Sequence, residues 1–134
     1  MKKVMCFGTF DNFHPGHLNY LQASKNLGDY LIVVVARDKN VFKIKGKEPK
    51  QNELERLQQI KKNNFVDKVV LGNIKNRLAV IEKYKPKILS FGYDQFFNEK
   101  AIREVFSGEI VIQKSFKPSV YKSSKINYVK RKGK

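Results

Sequence analysis

Residues 30–36 read Tyr-Leu-Ile-Val-Val-Val-Ala, and no other segment constrains the fold as much. A strand with one wet face alternates apolar and polar residues. A continuous β-branched run leaves no face for water, so it reads as a strand covered on both sides, as in parallel sheets. Short apolar runs at Lys3 to Phe7, Asp67 to Leu71, Lys87 to Phe91 and Glu109 to Gln113 read as further strands. Helical stretches fall between them. Gly16 to Leu27 carries Leu18, Leu21, Ala23 and Leu27 and stops at Gly28. Gln51 to Lys62 carries Leu54, Leu57 and Ile60 at a spacing of three. Leu78 to Tyr84 stops before Pro86, and Phe97 to Phe106 stops at Ser107-Gly108. Ser123 to Val129 predicts a last helix. Lys39 to Lys50 is lysine-rich, contains Gly46 and Pro49, and reads as a loop.

Strands alternating with helices predict an α/β fold. Its form would be a Rossmann-like, doubly wound parallel sheet of five strands, order 3-2-1-4-5, in three α/β/α layers. The 134 residues suit a single domain over 1–129, followed by a basic tail over 130–134. No apolar run approaches the ~20 residues needed to cross a bilayer, and Val4 to Phe7 is too short for a signal-peptide core. A lone cysteine, Cys6, cannot form an internal disulfide. Together these predict a cytoplasmic address, with Cys6 an inert core thiol.

The 28 Lys and Arg residues against 12 Asp and Glu give a net charge of +16, a field that attracts polyanions. Either lysines solvate the surface, or the partner is anionic, being nucleic acid or a phosphorylated metabolite. Composition does not separate these. The charge and the terminal Lys-Arg-Lys-Gly-Lys keep a non-catalytic nucleic-acid-binding module as an alternative, although no recognised RNA or DNA motif is present.

Two strand ends carry polar turns, Gly8-Thr9-Phe10-Asp11 and Gly92-Tyr93-Asp94-Gln95. In a sheet of the order 3-2-1-4-5, strands 1 and 4 are neighbours at the switch point, where ligands bind. The chain's two histidines lie just after the first strand, in His14-Pro15-Gly16-His17. Pro15 suits the first position of a helix, and Gly16 lets a ligand approach the backbone. The N–H groups of a helix start form an anion site. Two imidazoles beside it can donate hydrogen bonds to oxygens whose charge grows during phosphoryl transfer. Two ligands without a nearby Cys or third His make poor zinc coordination, so no metal site is expected. The helix start disfavours the imidazolium and a bound polyphosphate favours it, so nucleotide binding should raise the histidine pKa values.

These segments resemble the signature of the cytidylyltransferase-like superfamily, which carries an HxGH motif and includes glycerol-3-phosphate cytidylyltransferase and several adenylyltransferases. Val35-Ala36-Arg37-Asp38, Lys43-Ile44-Lys45-Gly46, Gly92-Tyr93-Asp94-Gln95 and Lys122-Ser123-Ser124-Lys125-Ile126 resemble archaeal FAD synthetase, an FMN adenylyltransferase. The resemblance implies transfer of AMP from ATP to FMN, giving FAD and pyrophosphate, with Mg²⁺ arriving on the ATP. The alternative it implies is CTP with glycerol 3-phosphate. Lys117-Pro118-Ser119-Val120, where cytidylyltransferases carry Arg-Thr-Glu-Gly, weakens that alternative.

By the same resemblance, His14 and His17 are catalytic, with Lys43 and Lys45 neutralising substrate phosphates. Gly8, Thr9, Phe10, Gly16, Gly92, Asp94, Tyr121, Ser123 and Ser124 join the histidines in the nucleotide site. Ser123 and Ser124 would serve the β- and γ-phosphates, and Asp94 the ribose or base. Arg56 would grip a substrate phosphate. Asp11 and Asp38 would orient Mg²⁺ or substrate hydroxyls, or cap turns. A homodimer is implied as well.

Overall fold

The computed structural model describes residues 1–114 and the backbone of residues 128–131. Five parallel strands form the centre of one sheet: β1 (Lys3–Gly8), β2 (Tyr30–Val35), β3 (Lys68–Leu71), β4 (Ile88–Gly92) and β5 (Glu109–Gln113). Their order is β3-β2-β1-β4-β5, and β6 (Tyr128–Arg131) adds antiparallel to β5 at the edge. The five parallel strands agree with the sequence. The sixth strand differs from it, because the sequence predicts a last helix over Tyr128 and Val129 and a tail over Lys130 and Arg131. Tyr and Val suit a strand, and β5 offers them an open row of backbone groups. Residues 115–127, including Tyr121, Ser123 and Ser124, lie outside the described residues.

The run from Leu31 to Val35 is buried as expected. Leu31, Val33 and Val35 join Val4, Cys6 and Ile88 on one face of the sheet, with Leu21 and Ile60 from the helices α1 (Pro15–Lys25) and α3 (Glu53–Lys61). Ile32 and Val34 join Met5, Leu89 and Phe91 on the other, under α4 (Ala79–Tyr84) and α5 (Glu99–Arg103). Each fully buried Val or Ile contributes about 1.5–3 kcal/mol relative to exposure.

Two helical expectations change. The 39–50 loop begins as a helix, α2 (Asp38–Lys45), closed by Gly46 in the left-handed conformation. In α3 the buried residues are Arg56 and Ile60, whereas Leu54 is 62% exposed. A spacing of four from a buried arginine, invisible to an apolar count, sets the inward side of that helix.

Candidate active site

His14 is the N-cap of α1, and its imidazole does the capping. Nδ1 of His14 accepts from the N–H groups of Gly16 at 3.1 Å and His17 at 3.4 Å. Nδ1 of His17, at the third helical position, accepts in return from the His14 N–H at 3.3 Å. This is the reciprocal arrangement usually built from Ser or Thr with Glu or Gln. The two rings stack with centroids 3.7 Å apart. A ring nitrogen that accepts a backbone N–H carries a lone pair, so in a neutral ring the proton resides on Nε2. The helix start thus fixes both tautomers and leaves each Nε2–H available as a donor.

His17 is half-buried, edge-on to Phe10 and tilted against Phe13. Burial lowers its pKa to about 4, helped by His14 and Lys45 and opposed by Asp11 and Asp94. At neutral pH it is an uncharged donor. The charges it feels come from the end of β1, the end of β4 and the end of α2. The fold therefore gathers Asp11, Asp94 and Lys45 around the histidine pair. Lys43 sits two positions before Lys45 on α2 and so points away from it.

The glycines and the turn after β1 are shaped by neighbouring rings. Phe10 is 3% exposed with φ of 55°, a left-handed position for a non-glycine residue. A Cβ on Gly8 would lie 2.7 Å from the Phe10 ring, and one on Gly16 would lie 2.9 Å from His14 Cε1. The space above Gly16 that the sequence reserves for a ligand is filled by the imidazole. Phe10 contributes its backbone to the turn, while its ring is core.

Arg56 and the two acids are engaged by the protein itself. Arg56 is fully buried and donates to Thr9 O at 2.8 Å, Gln51 O at 3.0 Å and Asp38 Oδ1 at 2.6 Å. It is a clamp across three connections and is not presented to a phosphate. Asp38 Oδ2 accepts from the Glu53 N–H at 3.1 Å, and Glu53 Oε1 accepts from the Asp38 N–H at 2.8 Å. Asp11 accepts from the Lys50 and Gln51 N–H groups at 2.8 and 2.9 Å. Burial works against its charge, but those donors, with Arg56 and Lys50, hold its pKa below the usual value. Of the two readings open for these acids, turn capping is the one their partners support.

Among the described residues, no group of three or more His, Cys, Asp or Glu could hold a metal ion. With Asp11 and Asp38 taken by N–H donors and Arg56, the residues present do not fit a preformed divalent cage. Burial pushes the Cys6 thiol far above its ordinary pKa, which makes it inert.

Sequence reasoning missed Tyr20 and Gln95. Both bridge the ends of β1 and β4 by hydrogen bonds. The available signals were a tyrosine next to the buried Leu21 of α1, whose hydroxyl needs a partner when buried, and the fourth residue of Gly92-Tyr93-Asp94-Gln95.

Residues 5–130 match the cytidylyltransferase-like family. The FAD synthase of Ferroglobus placidus is 47% identical over 104 residues, covering 78% of this chain and 67% of that protein. The FAD synthase of Aciduliprofundum boonei is 43% identical over 104 residues, covering 78% of this chain and 69% of that protein. The crystal structure of the lipopolysaccharide core biosynthesis protein from Thermoplasma volcanium GSS1 superposes with a TM-score of 0.81 at 38% identity, over 87% of this chain and 99% of that one. The histidine-capped helix, the sheet order and these matches agree, and the chain belongs to the cytidylyltransferase-like family.

Proposed function

We propose that this protein transfers AMP from ATP to FMN, forming FAD and releasing pyrophosphate. The observation that carries the reading is the histidine pair, with both Nδ1 atoms turned into the helix start and both Nε2–H donors left for a ligand. Its relatives named FAD synthase supply the choice of substrates.

In this reaction an oxygen of the FMN phosphate attacks the α-phosphorus of ATP. The bond from that phosphorus to the bridging oxygen breaks, and pyrophosphate leaves with the electron pair. The acceptor is already anionic, so no side chain needs to act as a covalent nucleophile. The protein's work is positioning and stabilising charge. His14 and His17 donate to the phosphates in a partly dry setting, and Lys45 supplies a cation beside them. Gly8, Thr9 and Phe10 form the turn at the phosphates, and Gly92 and Asp94 the opposite wall, toward the ribose or base. Ser123 and Ser124 are assigned to the β- and γ-phosphates, and Tyr121 to the nucleotide site. The described residues do not fit a preformed cage, so a divalent ion such as Mg²⁺ would come with ATP as its substrate complex, and the chemistry it would supply is added positive charge.

We place the protein as one catalytic domain, acting as a homodimer in the cytoplasm. Among the described residues no helix is long and apolar enough to cross a membrane. Pyrophosphate release, measured with ATP or CTP against FMN or glycerol 3-phosphate, tests the reading. Turnover with ATP and FMN is expected. Turnover with CTP and glycerol 3-phosphate, and none with ATP and FMN, would contradict it.

A further inference from the structure

The parallel ladder between β1 and β4 pairs Val4 with Ile88, Met5 with Leu89 and Cys6 with Ser90, and ends there. Neither strand has ended. β1 stays paired with β2 through Gly8, and β4 with β5 through Gly92. In a regular parallel ladder the next two rungs would join the Phe7 N–H to Ser90 O and the Gly92 N–H to Phe7 O. Each of those four groups is instead met by a side chain. The Tyr20 hydroxyl accepts from the Phe7 N–H at 3.2 Å and donates to Ser90 O at 2.5 Å. The Gln95 carboxamide accepts from the Gly92 N–H at 2.7 Å and donates to Phe7 O at 2.5 Å. One polar group is therefore inserted into each of two successive rungs. The inserts touch, with the hydroxyl 3.4 Å from Gln95 Oε1.

The turns on the two sides of the crevice follow directly from these two rungs. Gly8 to Asp11 continue from Phe7, and Tyr93 and Asp94 continue from Gly92. Tyr20 lies on α1 three residues after His17, so the same hydroxyl that parts the strands also ties the histidine helix to Ser90 O. We propose that Tyr20 and Gln95 are positioning residues for ATP. They hold the ends of β1 and β4 one polar group apart, and so set both the width of the crevice and the separation of His17 from Asp94. They act through Phe7, Ser90 and Gly92. The proposal rests on the nucleotide-binding reading of this crevice.

The test compares the native chain with Tyr20→Phe and Gln95→Glu in ATP binding by calorimetry and in steady-state turnover. Tyr20→Phe removes one insert and should raise the KM for ATP about tenfold while changing kcat far less, as expected for lost positioning before chemistry. Gln95→Glu keeps the acceptor for Gly92, but when ionised it cannot donate to Phe7 O. Its KM should be about tenfold high near pH 8 and recover toward native near pH 5 as the carboxyl gains a proton, a recovery absent from the native chain. In the native chain, the Phe7 amide and the Gln95 side-chain amide should shift in NMR spectra on saturation with ATP, a readout independent of whether either variant folds. An unchanged KM in the folded variants, a kcat that merely follows the folded fraction, or unmoved Phe7 and Gln95 signals would overturn the proposal. A native chain that binds no ATP would contradict the functional reading itself.

Discussion

The connections β1 to α1 and β2 to α2 start alike and are specified differently. Each leaves a buried parallel strand and enters a helix beside the crevice. The first is written locally: Pro15 presets the first turn, and His14 and His17 cap it with their own rings. The second depends on residues far along the chain. Arg37, the N-cap of α2, makes no side-chain cap hydrogen bond. Asp38 is instead held by Glu53 and Arg56 of α3. Thr9 O accepts from the same Arg56, so the distant clamp also steadies the local turn. The histidines are thus placed by their neighbours in sequence, and the lysine helix by its neighbours in space.

That contrast can be broken by substitution. His17→Ala removes the donor proposed for the transition state, and turnover should fall about 10²–10³-fold with the fold retained. His14→Ser separates the two duties of the first residue, because serine caps well. Thermal stability should stay near native while turnover falls about as far as for His17→Ala. Equal loss of stability and turnover would mean that His14 serves only the helix.

Arg56→Ala should act through folding. It removes a buried cation and leaves Asp38 Oδ1, Gln51 O and Thr9 O without their donor, so urea denaturation should show a loss of about 3 kcal/mol. A variant as stable as native would dissolve the distinction between the two connections. Lys45→Ala should cost about tenfold in turnover and Lys43→Ala much less, since one lysine lies near His17 and the other points away. Equal effects would place the lysine charge in the general field of the surface.

The strands were legible because burial on both faces forces an unbroken apolar run, as at Leu31 to Val35. The histidine turn was legible because its rules are local. The α2 helix was not, because Lys39, Lys43, Lys45 and Lys47 mask one buried anchor, Val41, and the Asp38–Glu53 contact cannot be read from either residue alone. The protein contacts of Arg56 are hidden in the sequence for a related reason. An arginine near a predicted phosphate site suggests a ligand contact, and only the fold reveals three protein acceptors for it. The sixth strand escaped because Tyr128 and Val129 pair with an edge that exists only once β5 is in place. The Tyr20 and Gln95 inserts are products of topology too, since they continue a ladder between strands far apart in sequence, where Val4 pairs with Ile88 and Cys6 with Ser90.

A smaller effect concerns pH. His17 has a pKa depressed from 6.5 to about 4 in the fold. The unfolded chain therefore binds more protons between those values, and stability rises with pH across that window. The contribution of His17 is complete above about pH 6.5 and is lost as pH falls toward 4. Replacing His17 with Gln, which can still reach back to the N-cap, should flatten that part of the stability profile.

The most direct measurement is an NMR titration of the two imidazoles, with and without ATP. The account predicts Nε2–H tautomers for both rings in the free protein. It also predicts a His17 pKa near 4 that climbs when the triphosphate binds, because an anion at Nε2 favours the charged ring. A His17 pKa that stays unmoved under saturating ATP, or rings protonated on Nδ1, would contradict it.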